Sequence, residues 1–145
     1  TALAGLAGLT ADAPRLGLPV LAVAYARGPG VDSTDPTWLG HGARLGLELG
    51  ADVVKTGYSG DGDSFERVTE STRLPVVIAG GSKGTDRETV EMVRGAMDGE
   101  AAGVSMGRSI FQHDDPEGIA RAVSAIVHDD ATVEEALRAG GFVEA

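Results

Sequence analysis

The chain has 145 residues, with 22 acidic against 12 basic side chains and a formal net charge of −10. At 42% hydrophobic and 23% charged it is no disordered polymer. It has no run of about 18 apolar residues to span a membrane and no basic block to track nucleic-acid phosphates. Its zero cysteines exclude disulfides, cysteine-ligated zinc and thiol catalysis, and fit a cytoplasmic enzyme.

In chain order, residues 3–9 read as a short helix that ends toward Pro14. Pro19-Val-Leu-Ala-Val-Ala-Tyr25 is a continuous apolar run, the pattern of a strand covered on both faces. A Gly/Pro/Asp-rich loop follows, from Arg27 to Pro36. Helical spacing resumes over residues 38–49, with Trp38, Leu45 and Leu49 as core side chains, and stops at Gly50. Asp52-Val-Val-Lys-Thr56 is a second strand. Asp63-Ser-Phe-Glu66 has the form of a capping box that starts a short helix. Residues 74–79 give a third strand, running into Gly80-Gly81. Thr85-Asp-Arg-Glu88 is another capping box, opening a helix through Met97. Residues 101–106 give a fourth strand, running into Gly107-Arg108. Asp115, with Pro116 at the first helical position, opens a helix to His128. Thr132-Val-Glu-Glu135 caps a last helix that ends at Gly140-Gly141.

Alternating strands and helices imply a parallel sheet with right-handed crossovers. No G-x-G-x-x-G follows the first strand, so a dinucleotide fold is disfavoured. Four βα units are half of a (β/α)8 TIM barrel. Alone, four parallel strands leave two open edges, so a missing N-terminal half or a partner is expected to close the sheet. Residues 1–145 read as a single domain, and Thr1 in place of Met suggests that the natural start lies upstream.

Lys55 and Lys83 are the only two lysines. Lys55 interrupts an apolar strand, and burial of its ammonium is costly unless the proton leaves. A neutral amine attacks ketones and aldehydes, which is Schiff-base chemistry. The alternatives are a lysine snorkelling from a strand end or one paired with a carboxylate. Tyr25 ends the preceding strand, close enough for its phenol to share a pocket with that amine and move protons. The alternative is a tyrosine at the barrel rim.

Gly80-Gly81 and Gly107-Arg108 follow the last two strands, where barrels often hold a phosphate. Glycines let backbone N–H groups approach an anion, a helix N-terminus adds positive potential, and Arg108 offers a forked contact. Arg27 is a further phosphate candidate. Ordinary turn glycines and solvated arginines are the alternatives. Asp61-Gly-Asp63 lacks the rest of a calcium loop and reads as a turn with a helix cap. His41, His113 and His128 lack metal-ligand spacing, and His41 and His113 are expected to face solvent or cap a helix.

The stretches Tyr25-Ala-Arg-Gly28, Leu47-Glu-Leu-Gly-Ala-Asp-Val-Val-Lys-Thr56, Tyr58-Ser-Gly-Asp61, Ala79-Gly-Gly-Ser-Lys83 and Gly107-Arg-Ser-Ile-Phe-Gln112 resemble, in order, the class I aldolases of the archaeal fructose-bisphosphate aldolase type. The resemblance implies the last four βα units of a TIM barrel. It matches Lys55 to the Schiff-base lysine and Tyr25 to the acid/base tyrosine. Arg27, Gly80, Gly81, Gly107 and Arg108 match phosphate-contacting positions, and Thr56 and Gly57 adjoin the lysine in the binding stretch. The family also uses an aspartate on a first strand that this sequence does not contain.

His41-Gly-Ala-Arg-Leu-Gly46, Ile110-Phe-Gln-His113 and Ser124-Ala-Ile-Val-His128 look closer to the aminodideoxyheptulosonate synthase branch. That branch joins aspartate semialdehyde to a phosphorylated ketose or triose on the way to aromatic compounds. Two positions depart from the fructose-bisphosphate aldolases. Val23 stands where they carry a tryptophan, and Ala26 where a proline is common.

The resulting expectation is a cytoplasmic, homo-oligomeric enzyme with no metal or organic cofactor. Its substrates are a phosphorylated sugar or triose, such as dihydroxyacetone phosphate, and an aldehyde. Nucleic acid and membrane are not partners. The rivals are a fructose-bisphosphate aldolase, a non-catalytic sugar-phosphate-binding half-barrel, and a flavin- or nucleotide-phosphate barrel.

Overall fold

In this computed structural model residues 2–81 and 84–143 are described. Helix α1 (Ala2–Asp12) passes into a 3-10 turn, Ala13–Leu16, closed by Gly17 with φ of +68°. Four βα units follow. They are β1 (Leu21–Val23) with α2 (Pro36–Glu48), β2 (Val53–Thr56) with α3 (Gly62–Glu70), β3 (Val76–Ala79) with α4 (Asp86–Asp98), and β4 (Gly103–Ser105) with the one-turn α5 (Arg108–Phe111) and α6 (Pro116–Asp129). Helix α7 (Val133–Gly140) closes the described chain. The strands form one parallel sheet in the order β1-β2-β3-β4. No described helix is long and apolar enough to cross a membrane.

Local chemistry sets the helix starts. Thr85 and Glu88 form a reciprocal capping box on α4, and Thr132 with Glu135 does the same on α7. Asp115 caps α6, with Pro116 at a first-turn position. The cap of α3 is Asp61 rather than Asp63: Asp61 is extended, and its Oδ1 accepts from Ser64 N–H at 2.8 Å. Asp63 already lies in the first turn, where a negative charge suits the helix dipole. The turn-and-cap reading of this segment therefore stands, with the cap two residues earlier than the Asp63–Glu66 box expected. Helix α5 follows β4 directly and carries no side-chain cap.

Side chains alternate across the strands. Ala22, Val54, Thr56, Val76 and Ile78 face the helices and are buried. Val54, Val76 and Ile78 pack with Leu39 and Ala43 of α2, Phe65 and Val68 of α3, and Ala96 of α4. A second core joins Val90 and Val93 of α4 to Ile119, Ala122 and Ile126 of α6 and Leu137 of α7.

Two sequence expectations are corrected. The apolar strands are covered on one face only among the described residues. On the other face Leu21 is 46% and Val23 58% exposed. Helices can cover only the outer side of a curving parallel sheet, so the inner side needs further strands. Helix α2 also turns a different face inward. Trp38 and Leu45 are exposed and Leu49 is half-buried, while Leu39, Gly40, Ala43 and Gly46 are buried. Gly42 and Gly46 let the helix approach the sheet, Leu39 fills the core beside them, and Trp38 and Leu45 are left outside.

Candidate active site

Parallel strands deliver their C-terminal ends to one edge of the sheet, where α/β folds place ligands. There a cavity of about 710 Å³ opens. Its lining comes from all four units: Tyr25 and Arg27 after β1, Lys55 and Gly57 from β2 and its loop, Gly80 and Gly81 after β3, and Ser105, Gly107 and Arg108 at the end of β4.

The register fixes the lysine. Val23, Lys55, Val77 and Gly103 are lateral neighbours on adjacent strands. Lys55 is half-buried and has no ion-pair partner among the described residues. The expectation of an enclosed amine is thus corrected: Lys55 lines an open cavity, because the inner face of the sheet is not covered among the described residues. A carboxylate-paired lysine is not what the geometry gives either.

Tyr25 and Lys55 border the same cavity, and Tyr25 is 43% exposed. The Arg27 guanidinium carbon lies 5.5 Å from the centroid of the Tyr25 ring, within cation–π range. Thr56 goes elsewhere. Its side chain points to the helix side, is fully buried, and donates from Oγ1 to the Ala24 carbonyl at 3.0 Å. Strand alternation demands this, since residues one apart cannot share a face. A direct contact of the Thr56 side chain with a ligand in the cavity is therefore corrected to support from behind.

The two glycine corners come together. Ser109 Oγ donates to the Gly80 carbonyl at 2.9 Å. A Cβ on residue 80 would sit 2.8 Å from that oxygen and 3.1 Å from Met106 Cε, so the close approach requires glycine. Gly81 has φ of +61°, a conformation that favours glycine. Ser82 and Lys83, the end of the Ala79-Gly-Gly-Ser-Lys83 stretch, lie outside the described residues.

Several lining residues were not singled out as site residues. Ser33 and Thr34 enter from the β1–α2 loop. Asp32 fixes Thr34 by accepting from its amide at 2.9 Å and its hydroxyl at 2.7 Å, and these bonds hold the Asp32 carboxyl below the ordinary value. Tyr58 packs on Phe65 with ring centroids 5.5 Å apart, and its hydroxyl occupies the space a Cβ on Gly95 would take. Burial pushes the Tyr58 phenol up, helped by the Asp61 and Asp98 carboxylates.

His113 does not simply face solvent. Its side chain is 16% exposed, and its Nε2 lies 2.8 Å from Asp86 Oδ1. His41 is exposed and meets Trp38 edge-on at 5.6 Å.

The charge of the cavity is opposite to that of the chain. Its lining includes Arg27, Lys55 and Arg108 and, among the described residues, no Asp or Glu. An anion is drawn to such a site by the local field.

The DeoC/LacD family aldolase model matches residues 1–113. The chain is 58% identical over 138 residues to a 2-amino-3,7-dideoxy-D-threo-hept-6-ulosonate synthase of Halobacterium salinarum, covering 95% of this chain and 52% of that protein. It is 36% identical over 132 residues to a 2-amino-4,5-dihydroxy-6-oxo-7-(phosphonooxy)heptanoate synthase of Streptomyces griseus, covering 90% and 48%. Among solved structures, an archaeal fructose-1,6-bisphosphate aldolase with its catalytic lysine bound to a carbinolamine intermediate matches with a TM-score of 0.82 and 32% identity, covering 86% of this chain and 51% of that one. The chain spans about half the length of the curated relatives it matches. The four βα units are thus part of a TIM barrel.

Proposed function

The chain belongs to the DeoC/LacD aldolase family, and on that premise we propose that it carries the imine-forming machinery of a class I aldolase. Lys55 is the nucleophile. Its amine adds to the ketone of dihydroxyacetone phosphate or a related phosphorylated ketose, and the carbinolamine loses water to give an iminium. The iminium takes up the electron pair released when a proton leaves the adjacent carbon, or when a C–C bond breaks. The resulting enamine joins an aldehyde, and water then frees the amine from the product iminium. Tyr25 moves the protons of carbinolamine breakdown and C–C bond making or breaking. Arg27, Arg108 and the backbone of Gly80, Gly81 and Gly107 hold the phosphate. Gly57 adjoins them in the lining of the cavity.

The observation that carries this reading is a cavity lined by three cations and no described carboxylate in a chain of net charge −10, with Lys55 in its lining and without an ion-pair partner among the described residues. The acceptor we assign is aspartate semialdehyde, in the synthesis of an aminated heptulosonate precursor of aromatic compounds. Similarity to two synthases whose names specify amino-substituted seven-carbon or heptanoate products supports it. Val23 beside Lys55 supports an acceptor other than glyceraldehyde 3-phosphate.

The open inner face and the outer edges of β1 and β4 belong, in this reading, against the first four units of the same barrel. The share of the relatives' length outside the match leaves room for them. The family's first-strand aspartate would come from there, and completed barrels are expected to form a homo-oligomer.

The test is borohydride reduction of the full-length protein with dihydroxyacetone phosphate, followed by peptide mass mapping. An adduct on Lys55, lost in Lys55→Ala, is expected. Full activity of Lys55→Ala would overturn the reading. Phosphate-dependent binding with no adduct would support the non-catalytic half-barrel. Assays with aspartate semialdehyde against glyceraldehyde 3-phosphate separate the synthase from a fructose-bisphosphate aldolase.

A further inference from the structure

The loop after β3 leaves the sheet at Gly80 and rejoins regular structure at Asp86, the first residue of α4. Each end is pinned to the segment that follows β4. Ser109 Oγ holds the Gly80 carbonyl at 2.9 Å, and His113 Nε2 holds Asp86 Oδ1 at 2.8 Å. The His113 amide in turn donates to the Ile110 carbonyl at 3.1 Å, which ties the ring to α5. Nδ1 lies 2.9 Å from both the amide nitrogen and the carbonyl oxygen of Asp115. A neutral ring accepts there from the amide, and a protonated ring donates to the carbonyl. In both states Nε2–H points at Asp86. Phe142 covers the ring edge-on, with centroids 5.7 Å apart. Gly84 and Thr89 on one side and Arg108, Ser109, Gln112 and His113 on the other border a common small crevice.

We infer that His113 and Ser109 are positioning residues that clasp the β3 and β4 loops into one anion cradle. Neither corner makes a site alone. Backbone donors of Gly80-Gly81 and the fork of Arg108 serve one phosphate only if their separation is fixed beforehand, and such fixing comes from residues behind the contacting groups. Ser109 fixes the end of the loop next to the glycines. His113 fixes the far end, and through Asp115 it also ties the cradle to the start of α6. The inference rests on the phosphate reading of the corners.

The experiment uses the full-length protein and inorganic phosphate as the probe, with binding followed by calorimetry. A second readout is the rate of borohydride trapping with dihydroxyacetone phosphate relative to dihydroxyacetone, which lacks the phosphate. His113→Ala is expected to weaken phosphate binding about fivefold, the value of one hydrogen bond, and to reduce the trapping preference by the same factor. Asp86→Asn weakens it less. His113→Gln, whose amide can still donate to Asp86, restores most of it. If His113→Ala does not fold, Asp86→Asn decides. Unchanged phosphate binding in His113→Ala, or in Asp86→Asn where His113→Ala does not fold, overturns the inference. Arg108→Ala separates the levels. Loss in Arg108→Ala without loss in His113→Ala, or in Asp86→Asn where His113→Ala does not fold, overturns the clasp alone, whereas no loss in Arg108→Ala overturns the phosphate reading itself.

Discussion

Thr56 donates its hydroxyl to the carbonyl of Ala24 at 3.0 Å from the buried side of the sheet. The amide of the same Ala24 donates to the carbonyl of Lys55 at 2.9 Å. The backbone that carries Lys55 is thus bracketed to the backbone that carries Tyr25. Thr56→Val keeps the shape and the strand preference and removes only the hydroxyl. The expected loss is about 1–2 kcal/mol, because a carbonyl facing the core loses its donor. Denaturant unfolding measures it. Trapping at Lys55 should persist with a slower turnover, and an unchanged stability would show that the bracket carries no load.

Tyr25→Phe isolates the proton-transfer role. The ring that lies beside Arg27 is retained, so the local packing should survive. Turnover is expected to fall about 10²–10⁴-fold, the usual contribution of a positioned acid/base group. Borohydride trapping of a pre-equilibrated complex should fall far less. Equal losses in both measurements would make Tyr25 a binding residue instead of an acid/base one.

What could be read in the sequence was what neighbours along the chain decide. The boxes at Thr85–Glu88 and Thr132–Glu135 close within one turn, and Asp115-Pro116 needs no distant partner. Lys55 showed itself because a charge interrupts an apolar strand. The direction of Thr56 was legible too, since alternation puts it opposite Lys55, although the resemblance placed it only beside the lysine in the binding stretch. His113 gave no such signal, because Asp86 lies 27 positions away. Ser33 and Thr34 reach the cavity through a loop whose path no periodicity describes. The phase of α2 was misread because large apolar residues dominate a hydrophobic pattern, while a close helix–sheet approach selects small ones.

The His113–Asp86 pair gives stability a pH dependence of known sign. The hydrogen bond to Asp86 raises the His113 pKa above 6.5, burial opposes it, and contacts with Asp115 and the fields of Asp86 and Asp114 add to the rise. A group whose folded pKa is raised contributes fully below its unfolded value and loses that contribution as pH climbs through the folded one. The pair should therefore weaken above about pH 6.5, by at most about 1 kcal/mol for a partly exposed pair. Denaturant curves of the wild type against Asp86→Asn from pH 5.5 to 8 should converge as pH rises. On the acid side the signs reverse. Glu88 and Glu135 are held below 4.5, chiefly by the Thr85 and Thr132 amides, so the caps they form fade as pH falls. A wild-type advantage that grew with pH would contradict the assignment of His113.

The inward face of α2 makes a prediction opposite to simple hydrophobicity. A Cβ on Gly46 would lie 2.6 Å from Val54 Cγ2, and Val54 is fully buried. Val54 is β-branched and stiff at χ1, so it cannot easily swing away. Gly46→Ala gains about 1 kcal/mol of helix propensity but meets an overpacking cost of about 1–3 kcal/mol. The net is a loss of about 1 kcal/mol, and Lys55, next to Val54, should trap more slowly. Leu45→Gln, on the 37% exposed side, should move stability by no more than about 0.5 kcal/mol. Denaturant midpoints of the two variants settle the order. A larger loss for Leu45→Gln than for Gly46→Ala would mean that α2 packs with its bulky face inward.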